Sequence, residues 1–313
     1  MDNVEHTSKW RIEEALSAQL ELLSGGASGA STYRVHGLTE PCVLKVIDAQ
    51  SADEVRARSH REIRFYQELS ARIPLRTPHV LASSIDESGA CALLIAAYEP
   101  MPAAQALRED VFTEIARQLA GFHALYWNQT DQLASLSWFG KPKTIDSSDA
   151  VQHASKTWHE LAQRPQFREI LTDSTLREIE LALQTLETTP EYGPEAALTL
   201  CHGDCHLDNL LRDQQGDLIW ADWQELRIGY GPSDLTFLLQ RAEADGANVA
   251  LDIVIAAYCK ALEAAAVQGV SEKTIKSAMH ESERRTRLLH WPEYMTDATP
   301  EAMTRHLKHI FPA

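Results

Sequence analysis

A chain of 313 residues with 44% hydrophobic and 24% charged side chains can bury the core of two lobes or one large domain, and its composition excludes disordered, collagenous and disulfide-built classes. The formal charge of −16 excludes unassisted binding to nucleic acid or to an anionic membrane, because both need basic surface. The acid is uneven: residues 1–98 carry 13 acidic and 10 basic side chains, the remainder 32 and 19, so a small cationic partner is favoured.

No apolar run approaches the ~20 residues that span a bilayer. The stretch MDNVEHTSKWRIEEAL lacks the basic-then-apolar order of a secretion signal, so a cytoplasmic protein is expected. Five scattered cysteines, Cys42, Cys91, Cys201, Cys205 and Cys259, fit free thiols in a reducing compartment.

In chain order, SKWRIEEALSAQLELL spaces Trp10, Ile12, Leu16, Leu20 and Leu23 as a helix does. A small-residue turn, SGGASGAS, precedes two short strand-like runs, Thr32 to His36 and Cys42 to Ile47, which read as a hairpin. A helix follows over SADEVRARSHREIRFYQELSAR, with Ser51 as its expected cap. HVLASSID and CALLIAAY are two further strands. Beyond Tyr98 to Pro102 the periodicity becomes helical, with stretches near 106–127, 173–188, 247–267 and 272–290, interrupted by strand and turn signals over 198–222. This pattern predicts an α+β chain in which a small antiparallel β lobe, 1–98, precedes a larger helical lobe, 99–313.

The stretch CHGDCHLDNL concentrates polar and thiol groups that would be costly to bury unpaired. Structural zinc needs two separated ligand pairs, whereas Cys201, His202, Cys205 and His206 crowd six positions with no distant pair. A two-metal phosphatase needs further histidines and carboxylates in other loops. Phosphoryl transfer fits the spacing: Asp204 and Asn209 stand five apart as in H-x-D-x-x-x-x-N, and a short hairpin then delivers Asp222 in IWADWQ. The same chemistry needs a strand lysine paired with a helix glutamate, for which CVLKVID supplies Lys45 and SHREIRFYQEL supplies Glu62.

In HGDCHLDNLL, WADW and GYGPSDLTFLL the chain resembles the aminoglycoside phosphotransferase and choline-kinase-like superfamily of small-molecule kinases. The resemblance implies a protein-kinase-like bilobal fold and Gly203 where protein kinases have arginine. It implies Asp204 as catalytic base, Asn209 and Asp222 as Mg²⁺ ligands, and His202 and Asp234 as supports of the loop. It also places Ser28 and Gly29 over the phosphates of ATP or GTP and the backbone of Ala96 to Tyr98 against the base.

The expected partner is a small-molecule acceptor, with no nucleic acid or membrane and a monomeric or dimeric chain. A cationic acceptor such as an antibiotic would meet Asp208, Gln224, Glu225, Tyr230 or Trp291; Glu281, Glu283, Glu293, Trp223 and Tyr294 are further candidates. Choline, a sugar or another alcohol is the alternative acceptor, and a nucleotide-binding pseudokinase the alternative class. Gln224 in DWQ departs from the acidic residue that many antibiotic kinases carry there.

Overall fold

The computed structural model describes residues 2–23, 29–136, 138–139, 147–188 and 197–311. Helix α1 (Asp2–Ser17) is followed directly by strand β1 (Gln19–Leu22), so the helical pattern expected over 8–23 ends early. Among the described side chains of that pattern Ile12 is buried, whereas Trp10 and Leu16 are exposed. Leu20 instead pairs with Val35 across the β1–β2 ladder.

Strands β2 (Ser31–His36) and β3 (Cys42–Ile47) form the expected hairpin, and β4 (Val80–Ile85) and β5 (Cys91–Ala96) complete an antiparallel sheet of order β1-β2-β3-β5-β4. The β5 run CALLIA is buried almost throughout, as befits an inner strand. Helix α2 (Asp53–Glu68) turns Glu62, Ile63, Phe65 and Tyr66 inward. Ser51 does not cap it: Ala52 is the N-cap residue and no side chain bonds the first turn, while the Ser51 carbonyl accepts from Arg56 Nη1 at 2.8 Å.

A two-residue strand β6 (Glu99–Pro100) leads into a helical lobe: α3 (Glu109–Ala124), α4 (Ser147–Ala162) and α5 (Asp173–Thr188). Strand β7 (Leu198–Cys201) leads into the loop over 202–209, and β8 (Leu210–Arg212) and β9 (Leu218–Trp220) form the short hairpin expected before Asp222. Strand β10 (Arg227–Tyr230) pairs back on β7. Helices α6 (Pro232–Ala244), α7 (Leu251–Ala264), α8 (Glu272–Leu289) and α9 (Pro300–Ile310) close the lobe.

The main core runs through both lobes, from Ile47 and Phe65 to Trp223 and Tyr258. A second core joins α4, α5, α9 and the end of α8 around Trp158, Phe167, Leu183 and Leu288. The α+β class and the two-lobed arrangement stand as the sequence predicted. No helix of the described residues is long and apolar enough to cross a membrane.

Candidate active site

The loop after β7 is shaped by one glycine. Gly203 has φ +86°, and a Cβ there would lie 2.0 Å from the Glu225 carbonyl oxygen, so any side chain would collide with backbone. The peptide therefore turns tightly enough to present two successive N–H groups, of His202 and Gly203, to the carboxylate of Asp234 at 2.6 and 3.0 Å. Asp234 sits in the first turn of α6 and is buried. Burial would raise its carboxyl, but the hydrogen bond from His123 and the charge around it hold it below the ordinary carboxylate range.

His123, on α3, completes this brace. It is fully buried, with Nε2 3.2 Å from Asp234 Oδ2 and Nδ1 2.7 Å from the Tyr258 hydroxyl. An ionised carboxylate only accepts, which places a proton on Nε2. His202 is also buried: Nε2 donates to the Ala221 carbonyl at 3.0 Å, and the ring lies 4.6 Å from that of Trp223. Burial holds its imidazole below the usual value.

Asp204 and Asn209 are brought together as their spacing predicts. Asn209 Nδ2 donates to the Asp204 carbonyl at 2.8 Å and lies 3.2 Å from its Oδ2. Burial would raise the Asp204 carboxyl, but the polar groups around it outweigh burial and keep it below its ordinary value. The Ala221 N–H donates to the Asn209 carbonyl at 2.9 Å, which stitches the loop to the residue before Asp222. Asp222 itself has φ +61° and ψ +64°, a left-handed conformation that costs a non-glycine residue of order 1–3 kcal/mol. Its carboxylate is thereby aimed across the cleft, where Oδ1 meets Lys45 Nζ at 3.1 Å.

Lys45 lies mid-strand in β3 and also contacts both oxygens of Glu62, at 2.9 and 3.0 Å. Burial alone would lower this lysine, but the Glu62 and Asp222 carboxylates outweigh it and hold the ammonium above its ordinary range. Asp222 and Asn209 offer a carboxylate and, since the Asn209 nitrogen is committed to donating, a carboxamide oxygen; these hard donors fit Mg²⁺.

The nucleotide-side expectations are placed unevenly. Ser28 lies outside the described residues. Gly29 has φ +76°, and a Cβ there would meet Val55 of α2 at 3.0 Å. The Ala96 N–H already donates to the His79 carbonyl and the Ala97 N–H to the Pro41 carbonyl, which leaves the Tyr98 N–H as the donor of this segment. The Tyr98 hydroxyl accepts from the His79 N–H at 3.2 Å.

The acceptor-side candidates are largely engaged elsewhere. Glu225 pairs with Arg58 of α2 at 2.8 Å, and Asp208 lies 3.3 Å from His206 Nδ1 and 3.8 Å from Arg241. Gln224 is buried, its carbonyl accepting from Arg61 at 2.6 Å. Trp223 is core, stacked on Phe65 with ring centroids 4.2 Å apart. Tyr230 ends β10 half-buried, and burial raises its hydroxyl.

Trp291 donates from its indole N–H to Gln240 at 3.1 Å and carries the Arg287 guanidinium over its ring, contacts with α6 and α8 rather than with the loop. Glu283 and Glu293 have basic partners in Arg287 and His153, while Tyr294 is exposed. Of the residues around the loop, His123 was not legible as functional. A single histidine on the buried face of a periodic helix carries no motif, and only α6 folding back on α3 reveals its partner.

Residues 19–268 match the phosphotransferase enzyme family. The chain belongs to that family. It is a kinase-type phosphotransferase of small molecules. No curated protein matches the sequence significantly.

Among solved structures, wild-type aminoglycoside 2'-phosphotransferase-IIIa with GDP is 16% identical, with TM-score 0.60 and 97% of this chain and 95% of that chain covered. The GDP and kanamycin complex of APH(2")-IIia is 17% identical, with TM-score 0.62 and coverages of 97% and 96%. ADP-bound APH(2'')-Ib is 15% identical, with TM-score 0.58 and coverages of 97% and 96%. At these identities the likeness is one of fold.

Proposed function

We propose that this phosphotransferase moves the γ-phosphoryl group of ATP or GTP to a hydroxyl of a small acceptor in the cleft between residues 1–98 and 99–313. The observation that carries the reading is the convergence on one cleft of Lys45 and Glu62 from one lobe and Asp204, Asn209 and Asp222 from the other. Solved relatives in complex with GDP or ADP support a nucleotide as the donor. A binder without turnover would have no use for a carboxylate held ionised on the loop, which argues against the pseudokinase alternative.

In this reading Lys45, fixed by Glu62, orients the phosphates, and the backbone around Gly29 approaches them. The Tyr98 N–H faces the base. Asn209 and Asp222 would hold Mg²⁺, which when bound neutralises charge on the phosphate oxygens. Asp204 Oδ accepts the proton of the attacking hydroxyl, while Asp234, His123 and His202 keep the loop from shifting. Positioning of this kind carries most of the catalysis in phosphoryl transfer.

The acidity of the chain favours a cationic acceptor such as an antibiotic, and kanamycin in the complex of a fold relative is consistent with that. Attraction would act through the overall field rather than a dedicated ion pair, because Asp208, Glu225, Glu283 and Glu293 already face basic partners. That same pairing favours a second reading, a metabolic kinase for a sugar or another uncharged alcohol; choline, itself a cation, makes the same demand as the first reading. Cytoplasmic location belongs to the proposal as well.

The test is nucleotide-coupled turnover over a panel of aminoglycosides, choline, sugars and other alcohols, run beside Asp204→Ala. Turnover on at least one acceptor, falling about 10²–10⁴-fold in Asp204→Ala, is expected for loss of a general base. Undiminished turnover in the variant overturns the assignment of the base.

A further inference from the structure

The chemistry above uses Asp204 and Asn209 but leaves His206 between them unassigned. Its ring is largely buried, set edge-on against Phe237 of α6 with centroids 6.2 Å apart. Nε2 lies 3.1 Å from Asn209 Nδ2 and 3.5 Å from Asp204 Oδ2. The Asn209 nitrogen must donate, since it also bonds the Asp204 carbonyl at 2.8 Å, so Nε2 is the acceptor and the ring proton sits on Nδ1. Nδ1 is buried with no hydrogen bond among the described residues, yet the Asp208 carboxylate 3.3 Å away favours a proton there. The Asp208 candidate for acceptor binding is thus explained by its own loop.

We propose that His206 is a positioning residue: it fixes the roll of the Asn209 carboxamide, and so the direction in which that side chain presents its oxygen. The Asn209 amide has two N–H groups and three acceptors within reach: the Asp204 carbonyl, Asp204 Oδ2 and His206 Nε2. With the imidazole present, the second N–H is shared between Asp204 and His206 and the amide plane is held from both sides. Without it, the second N–H has only the Asp204 carboxylate to meet, the amide plane is held from one side, and the oxygen turns with it. The inference rests on the reading of Asn209 as a metal ligand, and the supporting group of such a ligand typically matters 10–100-fold.

The test compares His206→Leu, which keeps the bulk without the acceptor, with His206→Gln, whose amide oxygen restores an acceptor near Nε2. Turnover number is expected to fall about 10–100-fold in His206→Leu at little change in nucleotide KM, and to stay within about threefold in His206→Gln. In protein labelled with [¹⁵N]asparagine and free of metal and nucleotide, the Asn209 side-chain amide, assigned by its loss in Asn209→Ala, should move in His206→Leu and hold in His206→Gln.

Full turnover or an unmoved amide in His206→Leu overturns the proposal, as does a His206→Gln that falls as far as His206→Leu. Should His206→Leu not fold, His206→Gln decides alone by keeping or losing both readouts. If Asn209→Ala itself keeps full turnover, the failure lies with the reading of Asn209 rather than with His206.

Discussion

At the scale of single residues, the loop depends on positions where nothing else fits. Gly203→Ala places a Cβ 2.0 Å from the Glu225 carbonyl in a left-handed conformation, so the cost should exceed the ~1–2 kcal/mol of the conformation alone. Denaturant unfolding measures it, and turnover should fall with it because the His202 and Gly203 amides lose Asp234. Lys45→Met leaves Glu62, whose side chain is 4% exposed, without its cation. A loss of about 3–5 kcal/mol is expected, largely recovered when Glu62→Leu is added, because an unpaired buried charge costs more than an apolar pair.

These residues were legible because chemistry fixes their spacing: Asp204, Asn209 and Asp222 are near neighbours along the chain, and Lys45 and Glu62 lie on adjacent elements. His123 and His206 were less so, since their roles arise from contacts made only when α3 and α6 pack. The amide proposed to face the base lies in the segment Ala96 to Tyr98 that the sequence marked. Which N–H is spare depends on how His79 and Pro41 fold back on Ala96 and Ala97.

At the scale of elements, periodicity marked the helices near 106–127, 173–188, 247–267 and 272–290, but not α4 or α9, although both pack into the second core. In α1 the apolar spacing ran on into β1, because Leu20 and Leu22 alternate as a strand as readily as they continue a helix, and pairing with β2 decided it. Helix α9 carries a pH signature of its own. His309 lies 3.3 Å from Glu243 and 3.0 Å from Glu283, and these hydrogen bonds raise its pKa to about 9.

His306, one turn earlier, is buried against Arg287 and is lowered to about 3, chiefly by burial. The His309 contribution is full below its unfolded value near 6.5 and fades as pH rises through about 9. His306 must stay neutral in the fold, so its penalty grows as pH falls from about 6.5 toward 3. Melting temperature should therefore peak near neutrality. The alkaline decline should be shallower in His309→Gln, as differential scanning fluorimetry from pH 5 to 10 would show.

At the scale of the molecule, the lobes are joined by more than a linker. Trp223, which follows Asp222, is fully buried, stacks on Phe65 of α2 and meets Phe122 of α3 edge-on at 5.5 Å. Trp223→Ala should cost about 3–5 kcal/mol, read from chemical unfolding. A loss below ~1 kcal/mol would mean that the ring is not the joint between lobes. Beside it, Arg58 reaches Glu225 and Arg61 reaches the Gln224 carbonyl, so α2 is fastened at three points to the segment after Asp222. The helix that carries Glu62 is thus tied to the segment after Asp222 by side chains of its own. A substitution on either side of that fastening should therefore be felt at Glu62 and at Asp222 together, as one mechanical part.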